Sequence, residues 1–119
     1  LVQAAADIVL VPSLYEPCGL TQLYAQRYGA IPVVRATGGL ADTVTDTNAE
    51  TLREGRATGF VFDSFDPGAL VHAVERALEV HADAELWNGL VRHVMRQDWS
   101  WATSAREYLR LFDRVLGQG

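Results

Sequence analysis

Three short apolar runs punctuate this chain, separated by stretches whose apolar residues recur every three or four positions. Ile8-Val9-Leu10-Val11 is continuous in its apolar character, as expected of a parallel strand buried on both faces. Ile31-Pro32-Val33-Val34-Arg35 reads as a second such strand, its proline near the start, where a missing donor is tolerated. Gly59-Phe60-Val61-Phe62-Asp63 reads as a third. Between the first two, a helix is predicted from Gly19 to Tyr28, stopped by Gly29. Thr37-Gly38-Gly39-Leu40 reads as a glycine turn leading to a short helix over Leu40 to Val44. Thr45 to Thr58 is polar and without clear period, which predicts a loop.

Beyond the third strand the pattern is helical throughout. Asp66-Pro67 supplies an N-cap and a first helical residue, and Leu70, Val71, Val74, Ala77 and Leu78 carry the helix to about Val80. Glu85 to Met95 repeats the spacing through Leu86, Leu90, Val91 and Val94. Ser100 is placed to cap a last helix whose apolar stripe holds Ala105, Tyr108, Leu109, Phe112, Val115 and Leu116. Trp99 and Trp101 flank its start and are expected to pack it against the body. Strands alternating with helices imply a parallel α/β sheet.

Composition narrows the function classes. The 119 residues suffice for one domain with a modest core, and 49% apolar with 21% charged residues is ordinary for a globular protein. A net charge of −5 without a Lys/Arg cluster argues against nucleic acid and anionic membranes as partners. Cys18 is the single cysteine, so an internal disulfide is excluded, and a reducing, cytoplasmic compartment is expected. No stretch approaches the roughly 20 apolar residues of a membrane span, and no signal peptide is visible. The chain opens on Leu1 rather than Met, with Leu1 to Asp7 reading as the end of a helix, so a longer parent protein is expected.

The candidate chemistry gathers where the first two strands end. Glu16-Pro17-Cys18-Gly19-Leu20-Thr21 puts a carboxylate and the free N–H groups of a helix start at a strand's carboxyl end, where open α/β sheets bind ligands. Those N–H groups and the positive end of the helix dipole suit a phosphate. Glu16 is either a solvated loop carboxylate or an acceptor for the hydroxyls of a polar ligand such as a sugar. Cys18 is either a small apolar filler or a thiol made reactive by the helix start. Gly38 and Gly39 form a second glycine turn on the same sheet edge, which together with the first raises the prospect of a shared cleft. Arg35, ending the second strand, either faces that cleft or covers the edge of the sheet. His72, His81 and His93 lack ligand spacing, so no metal site is expected.

These residues resemble the carboxyl-terminal part of bacterial glycogen synthases and plant starch synthases, over nearly the whole chain. The resemblance is carried by Ala6-Asp7-Ile8 through Pro12-Ser13, by Tyr15-Glu16-Pro17-Cys18-Gly19-Leu20-Thr21-Gln22, and by Tyr28-Gly29. It continues in Pro32-Val33-Val34-Arg35, Thr37-Gly38-Gly39-Leu40-Ala41-Asp42-Thr43-Val44, Thr58-Gly59-Phe60 and Trp99-Ser100-Trp101. Related retaining transferases carry a second Glu eight positions after the first. Here that position is Tyr24, as in glycogen and starch synthases.

The resemblance implies a GT-B glycosyltransferase of two Rossmann-like domains. Residues 1–98 would form the second half of the nucleotide-sugar-binding domain, with three parallel strands, and residues 99–119 a terminal helix returning toward the amino-terminal domain. It implies glucose transfer from ADP-glucose to the non-reducing end of an α-1,4-glucan, with retention and without a metal or other cofactor. Glu16 is then the candidate catalytic residue, a carboxylate that positions the donor glucose, with Cys18 nearby. Gly19, Leu20 and Thr21 hold the diphosphate, and Tyr24, Arg35, Thr37, Gly38 and Gly39 complete the substrate-binding set. Upstream residues would supply the rest of the site, so the isolated chain is expected to be inactive and to self-associate. Two alternatives stand beside this reading: a transferase of the same fold using another nucleotide sugar, and a non-catalytic domain binding a phosphate ligand or a partner protein.

Overall fold

The three apolar runs form three parallel strands. In the computed structural model, which describes residues 2–17 and 19–117, they are β1 (Ile8–Val11), β2 (Ile31–Arg35) and β3 (Phe60–Phe62). The sheet order is β1-β2-β3, with Ile8 opposite Ile31 and Val33 opposite Phe60. A short helix, α1 (Val2–Ala5), precedes β1. Between β1 and β2 lies α2 (Leu20–Arg27); between β2 and β3 lie α3 (Gly38–Thr43) and α4 (Ala49–Arg53). After β3 come α5 (Pro67–Ala82), α6 (Ala84–Met95) and α7 (Trp101–Leu116).

Both faces of β2 are covered, which accounts for its unbroken apolar run. Ile31 and Val33 join Phe60, Phe62, Ala73, Ala77, Trp87, Leu90 and Val94 in the larger core, between the sheet and α5 and α6. Val34 points the other way and packs with Val11, Leu40 and Val44. Phe60 is fully buried at the centre of the larger cluster, where truncation to alanine costs about 3–5 kcal/mol.

The stretch 45–58 departs from the expected loop. Asn48 caps α4: its side chain accepts from Thr51 N–H at 3.0 Å, while Thr51 Oγ1 accepts from Asn48 N–H at 2.9 Å. The reciprocal box uses a threonine where Glu or Gln is usual, so its sequence signature is weak. Ahead of α4, the segment around Asp46 runs beside β3. Thr47 donates to the Gly59 carbonyl from both N–H (2.9 Å) and hydroxyl (2.7 Å), and Asp46 Oδ1 accepts from Val61 N–H at 2.8 Å. Arg76 of α5 closes the arrangement, donating from Nη2 to both Asp46 carboxylate oxygens at 2.8 Å and to the Thr47 carbonyl at 2.7 Å. The outer edge of β3 is thereby covered, a guard against edge-to-edge pairing.

Other boundaries move by a residue or two. Gly19 stands at the N-cap position rather than inside α2, the short helix after β2 starts at Gly38 rather than Leu40, and β3 omits Gly59 and Asp63, while Ser100 holds the expected N-cap position of α7. Asp83 ends α5 and caps α6, its carboxylate accepting from Glu85 and Leu86 N–H at 3.1 Å. At α7 the capping is done two residues early. Ser100 makes no side-chain cap; Asp98 accepts from Ser100 N–H at 2.9 Å and from Thr103 Oγ1 at 2.7 Å. These bonds hold the Asp98 carboxyl down at a pKa of about 2. The tryptophans do not pack α7 as expected: Trp101 is 88% exposed, and α7 buries no residue among those described. Its apolar stripe is present and largely exposed, Tyr108, Leu109, Phe112, Val115 and Leu116 each being more than half accessible.

Candidate functional site

The turns that follow β1 and β2 touch through their backbones. The Glu16 carbonyl accepts from Gly39 N–H at 2.9 Å. Gly38 takes a left-handed φ of +48°, and a Cβ there would stand well inside 3.0 Å of the Glu16 carbonyl oxygen and 3.5 Å from Pro17 Cα. Glycine at this position satisfies both demands, the left-handed angle and the missing side chain. The two glycine turns expected on one sheet edge are thus a single corner.

Gly19 is left-handed too, with φ +62°, and precedes α2. Its N–H points at Glu16 Oε1, 3.4 Å away, so the half-buried carboxylate folds back toward the helix start. The capping position carries no other side-chain acceptor. The N–H groups of Leu20 and Thr21 lie in the first turn of α2, where helix geometry provides no acceptor. Thr37 is extended and likewise makes no side-chain cap at α3. One carboxylate and the start of α2 therefore meet the Gly38–Gly39 turn, whose Gly39 N–H is taken by the Glu16 carbonyl and whose Leu40 N–H is taken by the Thr37 carbonyl; the acceptor and the α2 donors together suit a phosphorylated, hydroxyl-bearing ligand.

Arg35 has a structural engagement at this corner. Its Nη1 donates to the Leu14 carbonyl at 2.8 Å, and its guanidinium lies 5.4 Å from the centre of the Phe65 ring. It ties the segment leading to Glu16 to the end of β2. Tyr24 lies elsewhere: with Leu20, Leu23, Arg27, Trp99 and Trp101 it lines a groove of about 610 Å³ between α2 and the α6–α7 junction. Glu16 and the Gly38–Gly39 turn do not line that groove. Cys18 lies outside the described residues. Among the described residues, no three His, Cys, Asp or Glu side chains are grouped to hold a metal, and no helix is long and apolar enough to cross a membrane.

Sequence reasoning missed two glutamines on α2. Gln22 and Gln26 are buried, and Nε2 of Gln26 donates to the Thr58 carbonyl at 3.0 Å. Gln22 Nε2 donates to Thr43 Oγ1 at 2.8 Å. Their spacing of four residues puts both on the inward face of α2, a signal available from the sequence but outweighed by their polarity.

Comparison with known proteins shows the family and the fold. Residues 1–88 match the family model described as glycosyl transferases group 1. The chain is 50% identical over 117 residues to glycogen synthase 2 of Nitrosococcus oceani, covering 98% of this chain and 24% of that protein. It is 51% identical over 118 residues to the glycogen synthase of Kosmotoga olearia, covering 99% and 24%. Among solved structures, the catalytic domain of Arabidopsis thaliana starch synthase IV, bound to ADP and acarbose, superposes with a TM-score of 0.83 at 44% identity, covering 95% of this chain and 23% of that one. Sucrose-phosphate synthase from Thermosynechococcus elongatus gives 0.64 at 28% identity, covering 99% and 27%. The chain spans about a quarter of the length of the curated relatives it matches.

Proposed function

The chain belongs to the group 1 glycosyl transferases, and from that premise we propose that the intact protein transfers glucose from ADP-glucose to the non-reducing end of an α-1,4-glucan, retaining the anomeric configuration. Its fold, three parallel strands with flanking helices, is that of the GT-B catalytic domains it superposes on. Residues 1–98 act as half of the nucleotide-sugar domain, and residues 99–119 reach back toward the amino-terminal domain. The observation that carries the reading is the contact between the Glu16 carbonyl and Gly39 N–H, which unites two helix starts and one carboxylate at a single corner.

In this reading Gly19, Leu20 and Thr21 hold the diphosphate through backbone N–H groups. The departing ADP gains charge on its β-phosphate, so donors fixed there act mainly in the transition state. Glu16 swings from Gly19 N–H to the hydroxyls of the donor glucose and orients it. Gly38 and Gly39 form the opposite wall, with Thr37 beside them. Arg35 braces the Glu16 segment, Tyr24 stands on α2, and Cys18 belongs to the substrate-binding set. The leaving phosphate itself takes the proton of the acceptor hydroxyl, so neither a metal nor another cofactor takes part. The enzyme works in the cytoplasm.

A donor panel on the intact protein tests the proposal. Glucan should lengthen with ADP-glucose as donor. A clear preference for another nucleotide sugar would favour the alternative suggested by the likeness to sucrose-phosphate synthase. No transfer from any sugar nucleotide would leave the non-catalytic reading.

A further inference from the structure

The backbone contact between the two turns is backed by a side-chain relay beneath it. Gln22 stands on the first turn of α2, fully buried, directly below Gly19: a Cβ on Gly19 would overlap its amide group. The amide donates from Nε2 to Thr43 Oγ1 at 2.8 Å, and Thr43 Oγ1 donates to the Gly39 carbonyl at 2.6 Å. A hydroxyl has a single proton, and here it lies on Gly39. Thr43 can therefore only accept from Gln22, which fixes the amide with Nε2 toward α3. Gln22 Oε1 is left buried with no partner among the described residues.

A buried amide oxygen without a partner is destabilising, so this glutamine is not explained by stability alone. A leucine of similar size would fill the space without that penalty. What leucine would lose is the bond from the first turn of α2 to Thr43, the last residue of α3, whose hydroxyl reaches back one turn to the Gly39 carbonyl.

We propose that Gln22 is a positioning residue whose amide, acting through Thr43 on the Gly39 carbonyl, sets the Gly38–Gly39 turn against the start of α2, which holds the donor diphosphate. The proposal rests on the functional reading given above. The Glu16–Gly39 bond joins the turns at the surface, and the Gln22–Thr43–Gly39 relay joins them underneath. With both in place the corner is pre-organised, and ligand binding does not have to order it. With the relay cut, α3 can drift from α2 while the core below is unchanged.

The test is ADP binding by calorimetry and donor kinetics on the intact protein, using Gln22→Leu, Thr43→Val, the double variant and Thr43→Ser. Gln22→Leu and Thr43→Val should each weaken ADP binding and raise KM for ADP-glucose by about twofold to tenfold, the worth of one hydrogen bond. Binding stoichiometry should stay at the wild-type value, and the melting temperature should not fall. The double variant should be no weaker than the weaker single, since both cut one relay. Thr43→Ser should bind as wild type. A structural role alone would lower stoichiometry or melting temperature and leave the affinity of the folded fraction intact. Unchanged affinity in both single variants, additive losses in the double, or a Thr43→Ser as weak as Thr43→Val would overturn the proposal. Should Gln22→Leu fail to fold, the contrast between Thr43→Val and Thr43→Ser still decides. An unmutated protein that neither binds ADP nor transfers glucose refutes the functional reading, and that result appears before any variant is made.

Discussion

Replacing Gly38 by alanine strikes the corner at its tightest point. The residue has φ +48°, where a non-glycine residue costs about 1–2 kcal/mol. The added Cβ also falls well inside 3.0 Å of the Glu16 carbonyl oxygen, which is backbone and has no rotamer by which to yield. The turn carrying Glu16 must therefore retreat, and the 2.9 Å bond from Gly39 N–H to that carbonyl breaks, a further loss of about 1 kcal/mol. A displacement of roughly 1 Å in a positioning element lowers the rate about 100-fold. Gly55 supplies the control. It is left-handed too, at φ +67°, but a Cβ there meets nothing within 4 Å. Gly55→Ala should lose a comparable increment of backbone stability and keep its activity. The assay is initial-rate glucan elongation by the intact protein, paired with thermal melting. Near-normal kcat/KM in Gly38→Ala, or an equal loss in Gly55→Ala, would refute the argument that the two turns act as one rigid corner.

Further tests address the carboxylate, the sheet edge, the helix junction and the isolated chain. Glu16→Gln should lower kcat by two decades or more, about 2.7 kcal/mol, because a neutral amide accepts more weakly from sugar hydroxyls; near-normal turnover would show the charge dispensable. Asp46→Ala removes the acceptor of Val61 N–H and Arg76, and should lower stability by about 1–3 kcal/mol in urea unfolding; an unchanged midpoint would mean the edge needs no cover. Asp98, lowered from 3.8 to about 2 in the folded chain, stabilises the start of α7 above pH 4, and this contribution fades as pH falls toward 2. A titration followed by Trp99 and Trp101 fluorescence should show that transition, and Asp98→Asn should lack it. The isolated 119-residue chain should self-associate, because β1 has a free edge and α7 an uncovered apolar stripe; a stable monomer in sedimentation at tens of micromolar would contradict this.

Local pattern sufficed wherever one physical signal dominated. The run Ile31–Arg35 is apolar because both faces of β2 are covered, whereas β1, expected to be buried on both faces, leaves Leu10 49% exposed; both strands nevertheless match the expected bounds. Asp66-Pro67 starts α5 as read, the Asp66 carboxylate accepting from Ala69 N–H at 3.0 Å. What escaped notice depends on contacts across the chain. Helix α4 is set by an Asn–Thr box and by the pairing of Thr47 with Gly59, twelve residues on. Gln22 and Gln26 are buried because Thr43 and Thr58 lie opposite them, which no local window reveals. Trp101 was expected to pack and instead stands exposed, since its apolar character marks a surface without stating what meets it. At the site, the glycine turns after β1 and β2 were legible as neighbours. That the Glu16 carbonyl and Gly38 are in backbone contact was not, because glycine spacing does not encode the approach of a second loop.

The central claim is that the start of α2, held rigidly against the Gly38–Gly39 turn, is the cradle for the diphosphate of a sugar nucleotide. Amide NMR of the intact protein, labelled with nitrogen-15 and titrated with ADP, tests it most directly. The N–H signals of Gly19, Leu20, Thr21, Gly38 and Gly39 should move together along a single binding curve, while those of Gly55 and Gly89 stay in place. Saturating ADP that leaves the α2 and α3 starts unmoved, or that moves one without the other, would contradict the account.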